Sequence, residues 1–482
     1  MKLCTRLVSL LAAITMLIPA LVSCGNLPDE EKTSADGTGE NEYVEENGYR
    51  LPVNNYNGAT CTICRYDTPD DYLSGETGDS LNDAAYRMNE KIEDLYNVDI
   101  VYPEYTVVIE YSTNYHNWVD FVRKTFAAGD QTYQVVTAGN HWMAAEVMNT
   151  DYYQNLLDLP YLDFSQPWWN GTYQERANLG GALYLTVGSL DTTYYDNTCA
   201  ILFNKEMAEE VQIGNLYDLV NSGGWTLDKL EEYTRRAALD LDGNGVMEQD
   251  TDRFGLLMYR NGPLDAFVSA FNVRFTENDS NGLPVLLDLS EHYVDIQEEL
   301  NRFVVKDDAV LYAEEDNLPV FLEGRALFEG NNMARAVEYR AMENDFGILP
   351  YPKWDEKQEN YCTHNAVGGV RAYLIPITTD GDMPANILEA MAYFGYKMLA
   401  PVCYDKILKG RMVRDEESSE MLDLLFSTID YHFVQIYSHF FDPSPDLLLR
   451  TTLYNHKSLT TEWAKRKRMY ATKMEQLIEK LS

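Results

Sequence analysis

The chain has 482 residues, 77 acidic side chains against 38 basic ones, a formal net charge of −39 and 45% hydrophobic residues. A surface this acidic repels phosphate backbones and anionic lipid headgroups, which excludes nucleic acid and anionic membrane surfaces as partners. The apolar content is enough for a large core, most simply two domains, and beyond residue 24 no apolar run is long enough to span a bilayer.

Lys2 and Arg6 precede an almost wholly apolar run from Leu7 to Val22, closed by Ser23-Cys24. A charged start, a short apolar segment and a small residue before the cut describe a secretory signal peptide over residues 1–23. The run falls short of the ~20 residues a membrane-spanning helix needs. Cys24 at the cleavage point resembles the bacterial lipobox, in which the thiol is acylated and becomes the new N-terminus. That resemblance implies lipidation of Cys24 and a protein anchored on the extracytoplasmic side of the cell membrane. Residues 24–48 then read as an extended tether, because eight acidic residues face a single basic one, Lys32, with almost nothing apolar to bury.

From residue 49 onward short β-rich runs alternate with longer helical ones, the pattern of an α/β body. Strands are expected over 60–65, 98–102, 134–137, 182–186, 200–204, 254–258, 326–328, 346–349 and 371–375. Helices are expected over 81–95, 118–128, 142–148, 226–238, 385–399, 418–428 and 461–481. The last places Trp463, Tyr470, Met474, Leu477 and Leu481 on one face, which makes the run from Lys465 to Arg468 a solvated flank. Cys61-Thr62-Ile63-Cys64 has the CxxC spacing of redox and zinc sites but lies inside a β-branched run with no second such pair. These are read as two strand cysteines. The 35 tyrosines and 7 tryptophans are core material and, in an extracellular binder, faces on which sugar rings stack.

One loop carries defined chemistry. Asp240-Leu241-Asp242-Gly243-Asn244-Gly245 sets oxygen donors at alternate positions with glycine sixth, the opening of an EF-hand-type calcium loop. The Val246 carbonyl and the Glu248 carboxylate would continue the shell. Position twelve is Thr251 rather than glutamate, so the closing carboxylate is Asp250 or Asp252, with Asp252 taken as the ligand. Calcium is expected here as a structural clip between a helix and a strand.

Several stretches resemble the extracellular solute-binding proteins of bacterial ABC importers, the family 1, carbohydrate-type group. They are Glu76-Thr77-Gly78-Asp79, Gln166-Pro167-Trp168-Trp169, Gly180-Gly181-Ala182-Leu183-Tyr184, Leu202-Phe203-Asn204-Lys205 and Gly224-Trp225-Thr226-Leu227-Asp228. Phe346-Gly347-Ile348-Leu349-Pro350-Tyr351-Pro352-Lys353 and Val413-Arg414-Asp415-Glu416 complete the series. The resemblance spans nearly the whole chain after the tether and is carried by order and spacing rather than by any one motif. It implies a type II periplasmic-binding-protein-like α/β fold of two lobes with a hinged ligand cleft. Lobe 1 is expected over 49–155 and 350–400, and lobe 2 over 156–349 and 401–482, with the late crossing near 346–352.

Open α/β sheets bind ligands beyond the carboxyl ends of their strands. That rule nominates His141 and Trp142 after the third strand, Glu329 and Asn331 at the end of another, and Trp354 after the late crossing. Trp168, Trp169, Tyr194 and Tyr195 supply further aromatic faces. The function implied is a membrane-anchored binding component that hands a carbohydrate, in expectation an oligosaccharide, to permease subunits without catalysis. A peptide ligand, a polysaccharide adhesin and a carbohydrate-active enzyme are the other readings. No GxSxG, HExxH, phosphate-binding loop or dinucleotide fingerprint is present.

Overall fold

The first β-branched run forms β1 (Ala59–Arg65), with β2 (Val98–Val101) and β3 (Val135–Gly139) parallel to it on either side. A computed structural model describes residues 45, 47–52, 54–66, 75–103, 111–314, 319–339, 342–408 and 416–481. Cys24, residues 25–44 of the tether and the stretch Val413-Arg414-Asp415 lie outside the described residues. Leu51–Ser482 forms one unit, distinct from Met1–Arg50. Helix Ser80–Tyr96 connects β1 to β2. The Asp79 carboxylate accepts from the N–H groups of Leu81 and Asn82 at its start, and Asn97 ends it in the left-handed conformation. A late strand, β11 (Arg371–Leu374), closes this sheet antiparallel to β3, giving the order β11-β3-β1-β2. Cys61 and Cys64 are free, buried thiols on β1, and burial pushes both up to about 12.

The second sheet has the order β10-β4-β9-β5-β8, built from β4 (Cys199–Asn204), β5 (Phe254–Tyr259), β8 (Val310–Ala313), β9 (Ala326–Asn332) and β10 (Phe346–Leu349). β5 runs parallel to β8 and β9, whereas β4 is antiparallel to β9 and β10. β5 is buried at every position because helix Leu227–Ala237 lies directly on it. A Cβ on Gly255 would stand 1.8 Å from the Thr234 carbonyl oxygen, so only glycine permits this approach. A hairpin of β6 (Thr276–Asn278) and β7 (Pro284–Leu286) lies outside both sheets.

Two segments cross between the sheets side by side. The first leaves Thr186, still bridged to Tyr373, and enters β4 at Cys199; the second returns from β10 to β11. Thr198 pairs with Asn365, the Ala366 N–H donates to the Asn197 carbonyl at 2.9 Å and the Cys199 N–H to the His364 carbonyl at 2.9 Å. Asn365 Nδ2 adds bonds to the Tyr194 carbonyl and Thr198 Oγ1. Such a short paired strap is the geometry of a hinge. Helix Met383–Phe394 then packs on Ser80–Tyr96. Toward the C-terminus, Ser438–Phe441 packs on Asn140–Asn149 behind β3, and Leu448–Tyr454 on Gly262–Ala270 behind β5. In Leu459–Leu481 the residues Trp463, Tyr470, Met474 and Leu477 are buried as the period requires. Lys465 and Arg466 pair with Glu462 on the outer side.

Three expectations change. Residues 182–186 form no strand: only Thr186 bridges, and the Leu183 N–H is taken by the Asn155 side chain instead of a ladder partner. Phe346–Leu349 is an edge strand of the second sheet, and the crossing lies after it. Helix Gly262–Ala270 was not foreseen, because every residue from Leu264 to Ala270 is buried and the sequence shows no amphipathic period.

Candidate functional site

β3, β5 and the hinge deliver side chains to one cavity of about 210 Å³. His141 arrives on the first turn after β3, and Gly262 and Asp265 on the helix that follows β5. His364 and residues 366–368 come from the hinge, His439 and Arg450 from the C-terminal helices, and Asp446 from the turn between them. Both lobes and the strap between them therefore share the wall.

Two imidazoles, His141 and His364, are held neutral. The His141 ring packs at a tilt against Trp142 and His439, with centroids 4.5 and 4.1 Å apart. Burial, reinforced by His439, pushes it down to about 3. Its Nδ1 stands 3.4 Å from the Val367 carbonyl, which fixes the proton there and leaves Nε2 as an acceptor. His364 Nδ1 lies 3.2 Å from Gln435 Nε2, which only donates, so that imidazole carries its proton on Nε2. Burial, with Arg450 nearby, pushes His364 down to about 4.

The carboxyls move the other way. Asp265 is 5% exposed, and its Oδ2 lies 3.2 Å from Arg450 Nη1. Oδ1 accepts no hydrogen bond from any described residue. Burial lifts Asp265 to about 7 despite Arg450, and Asp446 adds to the rise. Asp446 is itself buried and raised, although Ser444 Oγ donates to it. Carboxyls, a guanidinium and imidazole edges around a half-open cavity suit a hydroxylated ligand.

Of the residues nominated from sequence, His141 lines this cavity and Trp142 backs it. Trp168 and Trp169 do not stand in a cleft: both indole N–H groups donate to Glu389, at 2.9 and 3.0 Å, in the lobe interior. Tyr194 and Tyr195 belong to the hinge, where Asn170 donates to the Tyr194 hydroxyl and Tyr195 donates to Ser189. Glu329 is fully buried in the second sheet, accepts from Tyr339 and Asn331 at 2.6 and 2.8 Å, and is lifted to about 7 by burial. Neither Glu329 nor Asn331 lines the cavity. Trp354 packs on Phe271 and His292 elsewhere in that lobe. Sequence reading missed Asp265, His364, His439, Asp446 and Arg450. The strand-end rule reaches Asp265, six residues after β5, whereas the others come from segments with no local signal.

The acidic loop joins helix Leu227–Ala237 to β5, and its neck is zipped by the Leu239–Arg253 pair. Asp240 accepts from the N–H groups of Gly243 and Gly245, both at 2.7 Å, which holds its carboxyl below the usual range. Asn244 Nδ2 donates to Asp242 and Glu248, and Val246 lies exposed on the outside. Asp252, fully buried, accepts from the Leu241 and Glu248 N–H groups. One carboxylate oxygen from each of Asp240, Asp242 and Asp252 lies within 4.8 Å of the other two. Three converging carboxylates, one of them buried, fit a hard divalent cation with oxygen ligands.

No family model matches the chain, and no curated protein does. Solved structures do. A sugar transporter from Rhizobium etli, in an open conformation, superposes with a TM-score of 0.58 at 11% identity, covering 88% of this chain and 98% of that one. A cyclo/maltodextrin-binding protein complexed with maltotetraose gives 0.54 at 13% identity, with 88% and 98% covered. An ABC substrate-binding protein from Listeria monocytogenes in complex with cycloalternan gives 0.50 at 10% identity, with 88% and 99% covered. The two-lobed binding-protein fold expected from the sequence is the one this chain adopts.

Proposed function

We propose that the protein is the substrate-binding component of a bacterial ABC importer, which encloses a carbohydrate between its lobes and passes it to a permease without covalent chemistry. The observation that carries this reading is the polar cavity at the hinge, walled by side chains from both lobes and from the strap that joins them. A site so placed couples ligand contact to lobe closure, because ligand binds best when both walls reach it. The solved structures of like fold, two of them holding sugars, support the same reading. In this reading acylated Cys24 anchors the protein outside the cell, and the mass of its N-terminal peptide checks the modification.

A thermal-melt screen of the purified protein against mono- and oligosaccharides tests the function. One sugar class raises the midpoint, by about 2.7 kcal/mol of stability at a hundredfold excess over its dissociation constant. A flat panel on folded protein contradicts the reading.

Asp240, Asp242, Asn244, Glu248 and Asp252, with the Val246 carbonyl, are in this reading the ligands of a structural calcium ion. Bound calcium neutralises the converging carboxylates and pins the loop between helix and β5. Millimolar calcium then raises the melting temperature, chelator reverses the rise, and Asp242→Asn abolishes it. A melting temperature indifferent to calcium and chelator contradicts the assignment.

A further inference from the structure

We propose that the C-terminal helix Leu459–Leu481 is a brace between the lobes, and that Lys480 is the clasp by which it opposes their closure. This rests on the binding-protein reading above, since it concerns how readily the lobes close on a ligand.

The helix has 23 residues, about 34 Å at 1.5 Å per residue, and its two ends rest on different lobes. Its first half lies with the second lobe, where Trp463 is buried against Phe275 and Lys467 pairs with Asp288. Its last turn lies on the first lobe, where Leu477 and Lys480 share a cavity wall with Val147, Met148, Tyr153 and Tyr184.

The clasp completes a helix end. The last carbonyls of helix Asn140–Asn149 have no further turn to satisfy them. That of Glu146 takes the Thr150 N–H and hydroxyl. Lys480 Nζ donates to the carbonyls of Val147, Met148 and Thr150 at 2.8, 3.4 and 2.6 Å, and Asp151 stands 3.2 Å from the same ammonium. A cation is favoured at this negative end of the helix dipole. The first turn of the clasped helix carries His141 on the wall of the interlobe cavity, so one rigid element joins the clasp to that wall.

Packing under the last turn is incomplete. A partly open cavity of about 220 Å³ remains between Leu477, Tyr153, Leu179 and Tyr184. A void forfeits the dispersion contacts that seal a close-packed interior. This end of the brace sits over a void and is fixed by an ammonium, a contact that can part and re-form.

Lobe closure turns one sheet against the other, and a stiff helix resting on both must shift at one end. The clasp is made in the arrangement described here, in which the interlobe cavity is half open. Breaking the clasp therefore raises the share of closed protein, and apparent affinity rises in proportion.

The test is calorimetric titration of the protein and its Lys480→Ala variant with D-glucose, D-galactose, N-acetyl-D-glucosamine and maltotetraose. Lys480→Ala tightens binding about three- to tenfold, while the ligand-free variant melts at a lower temperature. Lys480→Arg, which keeps the cation, retains the original affinity. A merely structural cap would lower the melting temperature and leave affinity alone. Unchanged or weaker binding in Lys480→Ala thus overturns the brace and leaves the binding function intact. Should the alanine variant unfold, Lys480→Met, which keeps the aliphatic stem, takes its place with the same expectation. If none of the four sugars binds, the distance between the lobes of the empty protein decides, read by pulsed electron paramagnetic resonance. Spin labels at Lys124→Cys and Asp228→Cys, exposed positions on the first and second lobe, are placed in Cys362→Ser protein. Lys480→Ala then enlarges the population of shorter distances about three- to tenfold, and an unchanged distribution overturns the proposal. Failure of all sugars to bind counts against the function, whereas the distances judge the brace.

Discussion

Replacing Glu389 by alanine destabilises the protein by about 3–5 kcal/mol, measured as the loss in unfolding free energy in urea. Glu389 is completely buried on helix Met383–Phe394. Its Oε1 accepts from Trp168 Nε1 at 2.9 Å, and its Oε2 from Trp169 Nε1 at 3.0 Å and the Asp163 N–H at 3.1 Å. Alanine leaves two buried indole donors and the part-buried Asp163 N–H without this acceptor, each buried one costing about 1–3 kcal/mol, and opens a void as well. Glu389→Gln keeps the shape but turns an amide N–H toward one of those donors, so its loss falls between the two. A change below ~1 kcal/mol for the alanine variant would mean that the indoles are free to rotate toward solvent. That outcome would return Trp168 and Trp169 to consideration as sugar platforms.

Binding of the cognate sugar weakens about thirtyfold between pH 8 and pH 5.5. Asp265 lines the cavity beside Arg450 and is lifted to about 7 by burial, and its ionised form is the one that keeps the charge pair on the wall that meets the ligand. Below pH 7 each unit of acid therefore costs up to about tenfold in affinity, and above pH 8 the dependence is flat. The other groups around this carboxyl separate from it. His141 and His364, pushed down to about 3 and 4, stay neutral throughout the range, and Arg450 stays charged. Asp446, also raised, is the companion acid on the same wall, and His439 is the exposed imidazole at the rim. Asp265→Asn removes the dependence if Asp265 is its source, and a slope that survives this substitution assigns it to His439 or Asp446. For folding the sign is opposite. The raised value means Asp265 stabilises the empty protein below its unfolded pKa, and that contribution is lost as pH rises through 7. The site thus weakens the empty fold under the conditions in which it binds best.

Much of the fold was legible because its signals are local. β1, β3, β4, β5 and β10 stand within two residues of their expected bounds, since β-branched and apolar runs between turn residues leave little alternative. Helix Leu459–Leu481 announced itself by its buried stripe. Helix Gly262–Ala270 gave no period because it is buried all round, and residues 182–186 read as a strand because Leu183 and Leu185 alternate with Tyr184 although no ladder partner is there. The site was legible only in part. His141 followed from its place after β3, and the loop from Asp240 from its spacing, but Asp446 and Arg450 reach the cavity from a turn and the helix after it, far along the chain from β5, where nothing in the sequence marks them. Aromatic content misled for a physical reason: Trp168 and Trp169 are amphipathic, and a buried indole finds its partner in a carboxylate as readily as at a sugar edge.

Capture of a sugar between the lobes without chemistry is tested most directly by titrating the protein with the sugar that raises its melting temperature, then recovering that sugar. The expected result is one saturable site per chain and sugar returned unaltered by mass and chromatography. Conversion of the sugar to product, or heat without saturation at one site per chain, would contradict a binding component and point to an enzyme or to a polymer-binding surface.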